Sequence, residues 1–278
     1  MTTDHATITA PRAAVQTHVR AWLTERARAL HAKTQRTVVL GLSAPQGWGK
    51  TTLCAHIARD LQAHSLNVVT LSLDDLYLTH AAQSALRDAH PDNRYLAQRG
   101  YPGTHDLDLA HDVLCGLCAL DRDQLFAVPR YDKSAHQGQG DRAPERLWPT
   151  TRGPVDVLLI EGWMLGFIQA DRTPQVSKIF RDDPALAACD ARLAAYQTLH
   201  AAIDGWACVR PRDVSQVLAW RVAAERARRD RGEGAMSEQD ITRYIAGFLP
   251  AYSLWGAALG QGTQDPREPS LRCWISED

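Results

Sequence analysis

The 278-residue chain has no apolar run near the ~18 residues that a membrane helix needs. Its opening, MTTDHATITAPR, has neither the basic start nor the apolar stretch of a secretory signal. No membrane partner and a cytoplasmic location are therefore expected. Charge bias is missing too: 31 basic against 32 acidic residues leave a formal net charge of -1. That is too little to hold a polyanion along the surface, so nucleic acid is not an expected partner. Cysteine is sparse, six in all, which excludes a disulfide scaffold at this length. Asparagine is scarcer still. Asn67 and Asn93 are the only two, neither followed by lysine, so the Asn-Lys-x-Asp guanine reader of switch GTPases is absent. What remains, 45% hydrophobic and 23% charged residues, is an ordinary globular composition.

Val15, Val19, Trp22, Leu23 and Leu30 recur at roughly helical spacing and predict an amphipathic helix over 12–32, within an N-terminal helical extension of residues 1–36. A single domain over 37–278 is expected to follow. Apolar strands are expected at 37–41, 67–73 and 155–160, with further ones at 206–209 and 271–275. Near-continuous apolar strands separated by helical stretches form a parallel sheet covered on both faces, so the fold class is α/β with three layers. Pro91, Pro102, Pro129, Pro144, Pro149 and Pro154 make 90–154 loop-rich. Within it LDLAHDVLCGLCAL reads as a helix carrying His111, Cys115 and Cys118 on one face. Without a fourth ligand at usual spacing, those cysteines read as small apolar residues rather than a zinc site.

The chemistry is carried by SAPQGWGKTT at 43–52, between the first of these strands and a helix running to about Leu61. Gly49-Lys50-Thr51 ends a phosphate-loop pattern whose first glycine is replaced by Ala44. Backbone N–H groups of Gln46, Gly47, Trp48, Gly49, Lys50, Thr51 and Thr52, at a helix N-terminus, would wrap anionic phosphates. Lys50 would reach the β/γ-phosphates and the Thr51 hydroxyl would bind magnesium. A nucleotide is thus the expected ligand.

Phosphoryl transfer to an alcohol needs a carboxylate that accepts the hydroxyl proton in line with the γ-phosphorus. The second strand ends in Asp74-Asp75, where a parallel sheet opens into its ligand crevice. Asp74 is the candidate base; Asp75 can equally cap the next helix. The third strand closes on Glu161, a metal-side carboxylate. Farther on, 218–229 reads as a helix placing Arg221, Glu225, Arg228 and Arg229 on one face. Such a helix can either carry arginine charge to the transferring phosphoryl group or be a solvated basic surface.

These segments resemble the D-glycerate 3-kinases of the plant and fungal type, relatives of phosphoribulokinase, uridine kinase and pantothenate kinase. The resemblance rests on GLSAPQGWGKTT (41–52), SLDDLYLTH (72–80), RGYPGTHD (99–106), VPRYDKSAHQGQGDR (128–142), IEGWMLGF (160–167), and WRVAAERARR (220–229) followed by MSEQD and FLPAY. Leu76 departs from the family's usual phenylalanine, Cys189-Asp190 from a Val-Asn pair, and the first 36 residues match nothing specific. The resemblance implies a P-loop fold with a helical lid and ATP with Mg2+. It also implies transfer of the γ-phosphoryl group to the 3-hydroxyl of D-glycerate. By similarity, Asp74 would be the catalytic base, Glu161 would coordinate magnesium, and Arg221 and Arg229 would face the phosphates from the lid.

An acceptor with one carboxylate and two hydroxyls needs a cation and several polar groups. With Asp75, the loop region supplies Arg99, His105, Asp106, Arg130, Tyr131 and Lys133. Spacing alone leaves open a kinase of this fold acting on another small alcohol, and a regulatory ATPase.

Overall fold

A computed structural model describes residues 5–232, 238–256 and 270–275. The chain runs β1 (His5–Ala10), α1 (Arg12–Thr34), β2 (Val38–Ser43), α2 (Lys50–Gln62) and β3 (Val68–Ser72). Helices α3 (His80–Ala89) and α4 (Leu107–Cys118) precede the short strands β4 (Leu125–Ala127), β5 (Tyr131–Asp132), β6 (Asp141–Arg142) and β7 (Thr150–Arg152). Next come β8 (Val157–Gly162), α5 (Pro174–Asp182), α6 (Pro184–Arg192), α7 (Gln197–Ala201) and β9 (Gly205–Pro211). The last elements are α8 (Ser215–Asp230), α9 (Glu238–Ala246), α10 (Leu249–Leu254) and β10 (Ser270–Ile275).

Six strands in the order β1-β10-β9-β2-β8-β3 form one sheet in which every pairing is parallel. The α/β class is thus as the apolar runs predict: β2 and β8 are buried along their whole length, as strands covered on both faces must be. Edge strand β3 instead alternates buried and half-buried residues. The chain leaves β2 to build one side of the sheet and later returns to build the other. The crevice at the carboxyl ends of β2 and β8 is therefore a topological switch point, and the 43–52 loop opens into it.

Strand β1 is not anticipated by the sequence pattern, because HATITA holds a single large apolar residue. It pairs with β10 from His5↔Ser270 to Ala10↔Ile275. Helix α1 follows after one residue, buries Val15, Val19, Leu23 and Ala27, and packs on α2. The N-terminal segment thus adds a sheet strand as well as the expected helix.

Beyond β8, Trp163 packs edge-on against Phe248 at 5.1 Å and beside Tyr252 at 5.4 Å, which holds α10 over the strand's end. Fully buried Asp190 ties this region together. Its Oδ1 accepts from Ala170 N and Trp255 Nε1, both at 2.8 Å, and its Oδ2 from Arg172 Nη2 at 3.1 Å. Helix α4 carries His111 and Cys115 in contact, Nε2 to Sγ 3.5 Å. Among the described residues, no group of three or more His, Cys, Asp or Glu could hold a metal, and no helix is long and apolar enough to cross a membrane.

Candidate active site

The 43–52 loop takes its shape locally. Gly47 and Gly49 have φ of 75° and 95°, a left-handed backbone that glycine adopts without strain. Gly49 is also the N-cap of α2. Ala44 at the usual glycine position is buried, and its N–H donates to Gly162 O at 3.3 Å. Gln46 N–H donates to the Tyr252 hydroxyl at 3.0 Å, and Trp48 is wholly buried. A Cβ on Gly47 would lie 2.8 Å from the backbone of Trp220 and Arg221, so α8 rests directly on the loop. Lys50 Nζ folds back to Pro45 O at 3.1 Å. Burial lowers its pKa, while Glu161 and Asp74 pull the other way. The Thr51 hydroxyl donates to Glu161 Oε1 at 2.8 Å, joining the start of α2 to the buried end of β8. Thr52 is exposed in the same first turn.

Asp74 and Asp75 sit in a 3-10 turn, Leu73–Leu76, capped by Ser72. Their roles separate. Asp75 accepts from Ser72 N (3.4 Å), Tyr131 N (3.1 Å) and Arg130 Nη1 (3.3 Å). Both of its oxygens are therefore spent on the turn and on the segment that carries β5, and Arg130 Nη1 also donates to Pro129 O at 2.8 Å. Asp74 faces the crevice, with Lys133 Nζ 2.5 Å from Oδ2. Burial would raise its pKa, but Lys133, with help from Lys50 and His105, holds the carboxyl well below the usual carboxylate range. It is thus ionised and unable to donate a proton.

The loop residues divide in the same way. Asp106 caps α4 through Leu109 N at 3.0 Å and pairs with Arg142 at 2.6 Å, a structural use that leaves it no free oxygen. Arg99 donates to Gly138 O at 2.9 Å and to Gln139 O, and lies over the Tyr131 ring at 5.7 Å. A Cβ on Gly140 would meet both Tyr131 Oη (2.8 Å) and Arg99 Nη1 (2.9 Å), so these two groups converge. His105 is buried and stacked on Tyr77, ring centroids 4.4 Å apart. The Tyr196 oxygen accepts from the Gly103 backbone N–H at 3.0 Å, so its own proton is free to reach His105 Nδ1 at 2.8 Å. The imidazole proton then resides on Nε2. Burial pushes the His105 pKa down to about 4, against the pull of Asp74, so the ring is neutral. Among the described residues, His105 Nε2 and Tyr131 Oη are buried polar atoms with no hydrogen-bond partner, a condition that is rare unless a ligand or water completes it.

From the lid side, Arg221 pairs with buried Glu225 at 2.5 Å and lies 5.8 Å from the Tyr244 ring centre. Arg229 is exposed, two turns or about 12 Å farther along α8 than Arg221. Several contributors lack any local signal: Tyr196, Tyr244 and Tyr252 come from distant elements, and Arg12 and Gln16 of α1 donate to the Trp48 carbonyl of the loop. Tyr77 alone was within reach of sequence reasoning, three residues beyond Asp74.

No protein-family model matches the chain. It is 39% identical over 236 residues to the chloroplastic D-glycerate 3-kinase of Arabidopsis thaliana, covering 82% of this chain and 50% of that one. An uncharacterized kinase of Schizosaccharomyces pombe is 33% identical over 226 residues, 78% of this chain and 80% of that one. The chain belongs to this family of P-loop kinases. The match therefore spans half the length of the plant enzyme. The solved D-glycerate 3-kinase of Cryptococcus neoformans superposes with a TM-score of 0.83 at 29% identity, over 94% of this chain and 95% of that one. A P-loop kinase fold and ATP use follow from membership.

Proposed function

We propose that the protein transfers the γ-phosphoryl group of ATP to the 3-hydroxyl of D-glycerate, giving 3-phosphoglycerate and ADP. One observation carries this reading: ionised Asp74 stands beside Lys133, within the electrostatic reach of Lys50, His105 and Tyr131, and His105 Nε2–H and Tyr131 Oη have no partner among the described residues. The relatives named D-glycerate 3-kinase support the choice of acceptor.

The acceptor's primary hydroxyl would donate to Asp74, which orients its oxygen toward the phosphorus and takes the proton as the new P–O bond forms and the bond to the β-phosphate bridge breaks. Lys50 and the loop amides hold the phosphates. The acid's carboxylate finds cationic Arg99 and Lys133, and the second hydroxyl finds the two unpartnered groups. Arg221 adds positive charge from α8. Thr51 and Glu161 bring a hydroxyl and a carboxylate together at the foot of the phosphate loop, a hard-oxygen pair that suits magnesium bound mostly through phosphate and water. That ion would supply charge neutralisation on the phosphates. An ADP-release assay with D-glycerate, uridine, pantothenate and ribulose 5-phosphate tests the reading. D-glycerate should stimulate turnover; stimulation by another acceptor and not by D-glycerate would refute it.

A further inference from the structure

Helix α1 reaches the phosphate loop with two side chains. Arg12 Nη2 donates to Gly47 O and to Trp48 O, each at 3.0 Å, and Gln16 Nε2 donates to Trp48 O at 2.8 Å. Residues four apart share a helix face, so both side chains approach the loop from one side. A Cβ on Gly49 would meet Gln16 Nε2 at 3.3 Å and Arg12 Nη2 at 3.8 Å. The Arg12 guanidinium also lies 5.7 Å from the ring centre of Trp220. Trp220 belongs to α8, the helix whose backbone touches Gly47.

Local preference argues against an arginine at this position. Arg12 is the first residue of α1, where the helix dipole disfavours a cation. The first turn holds no acid, and Pro11 makes no side-chain cap. The cation's place is explained by what it meets in the tertiary structure.

We infer that Arg12 and Gln16 are positioning residues of the nucleotide site, holding the Gly47 and Trp48 carbonyls outward so that the Gly49 amide stays turned toward phosphate. The inference rests on the nucleotide reading of this loop. Its physics is that of the peptide plane. In a trans peptide the C=O of one residue and the N–H of the next point in opposite directions. The Trp48 N–H is turned into the loop, donating to Pro45 O at 3.3 Å, whereas fixing Trp48 O fixes the Gly49 amide. Each of these peptide units borders a glycine, whose permissive backbone lets a plane turn over at low cost. A turned plane would aim a carbonyl oxygen at an anion. Charge-assisted hydrogen bonds to both oxygens oppose that turn.

Binding of ADP and of a non-hydrolysable ATP analogue, with magnesium, is measured by calorimetry for Arg12→Ala, Arg12→Lys, Gln16→Ala and Lys50→Ala, with KM for both substrates. Arg12→Ala should weaken nucleotide binding and raise KM for ATP about tenfold, the scale of a lost charged hydrogen bond, while KM for the acceptor stays unchanged. Arg12→Lys should recover only part, because an ammonium lacks the guanidinium fork. Gln16→Ala, the variant that keeps the fold if Arg12→Ala does not, should cost about threefold. A purely structural role would lower the melting temperature without moving nucleotide affinity. Folded Arg12 and Gln16 variants with wild-type nucleotide affinity, or a parallel rise in both KM values, would overturn the inference. Should Lys50→Ala keep its affinity as well, it is the nucleotide reading that fails.

Discussion

Lys133 Nζ stands 2.5 Å from Asp74 Oδ2 across 59 residues of sequence. The pair sets the protonation of the crevice: burial favours the neutral acid, and the ammonium reverses that preference. Because the folded carboxyl titrates below its unfolded value, the pair's contribution to stability is in place above the ordinary carboxylate range. It is lost only as pH falls through the depressed value. Lys133 is half exposed, so solvent screens that contribution, and the main consequence is chemical.

Asp74→Asn keeps the shape and removes the proton acceptor. Acceptor phosphorylation should fall by about 10²-fold or more while ATP affinity changes little, since the phosphate loop is untouched. Steady-state kinetics beside nucleotide calorimetry read both. Turnover at the wild-type level would remove Asp74 from the mechanism.

Glu161→Gln leaves the buried end of β8 its volume but not its charge. The Thr51 hydroxyl can still donate to the amide oxygen, so folding should survive. The magnesium concentration needed for half-maximal rate should rise about tenfold or more, the scale seen when a metal's carboxylate partner is weakened. A metal titration at saturating ATP settles the matter; an unchanged midpoint would move the ion elsewhere.

His105 bears on pH. Its folded pKa of about 4 lies below the 6.5 of a free imidazole. Between those values the unfolded chain binds a proton that the native chain refuses, so stability falls as pH drops through that window and rises with pH up to about 6.5. His105→Asn should flatten this slope in urea denaturation at pH 4.5 and 7, and raise KM for the acceptor about tenfold through the lost Nε2–H donor. Equal slopes in the two proteins would contradict a neutral buried ring.

Asp190 allows a contrast of two substitutions. Both of its buried donors, Ala170 N–H and Trp255 Nε1–H, converge on one oxygen, while the other faces half-exposed Arg172. Asp190→Asn can keep the first oxygen and should cost about 1 kcal/mol or less. Asp190→Ala strands two buried donors and should cost about 3 kcal/mol. Thermal melts distinguish them, and similar losses for the two would refute the assigned geometry.

Reading the sequence located the sheet to within two residues at most strand ends, because buried parallel strands must be apolar whatever surrounds them. It missed β1, whose residues lack that signature. Within the site it named Lys50, Thr51, Glu161 and Asp74 together with the loop cluster, and it chose Asp74 as the base while leaving Asp75 between a cap and a substrate contact. Both are acids after a strand, and only the arrival of Tyr131 N and Arg130 at one of them distinguishes their work.

By itself the sequence determined where the phosphate loop lies, since two glycines, Lys50-Thr51 and a helix start after an apolar strand are local signals. The tertiary structure alone decided which side chains complete the site. Arg12 meets Gly47 across 35 residues, and Tyr196 meets His105 across 91. Hydrogen bonds between residues so far apart leave no periodic trace along the chain, because their directions are set only when helices and strands pack.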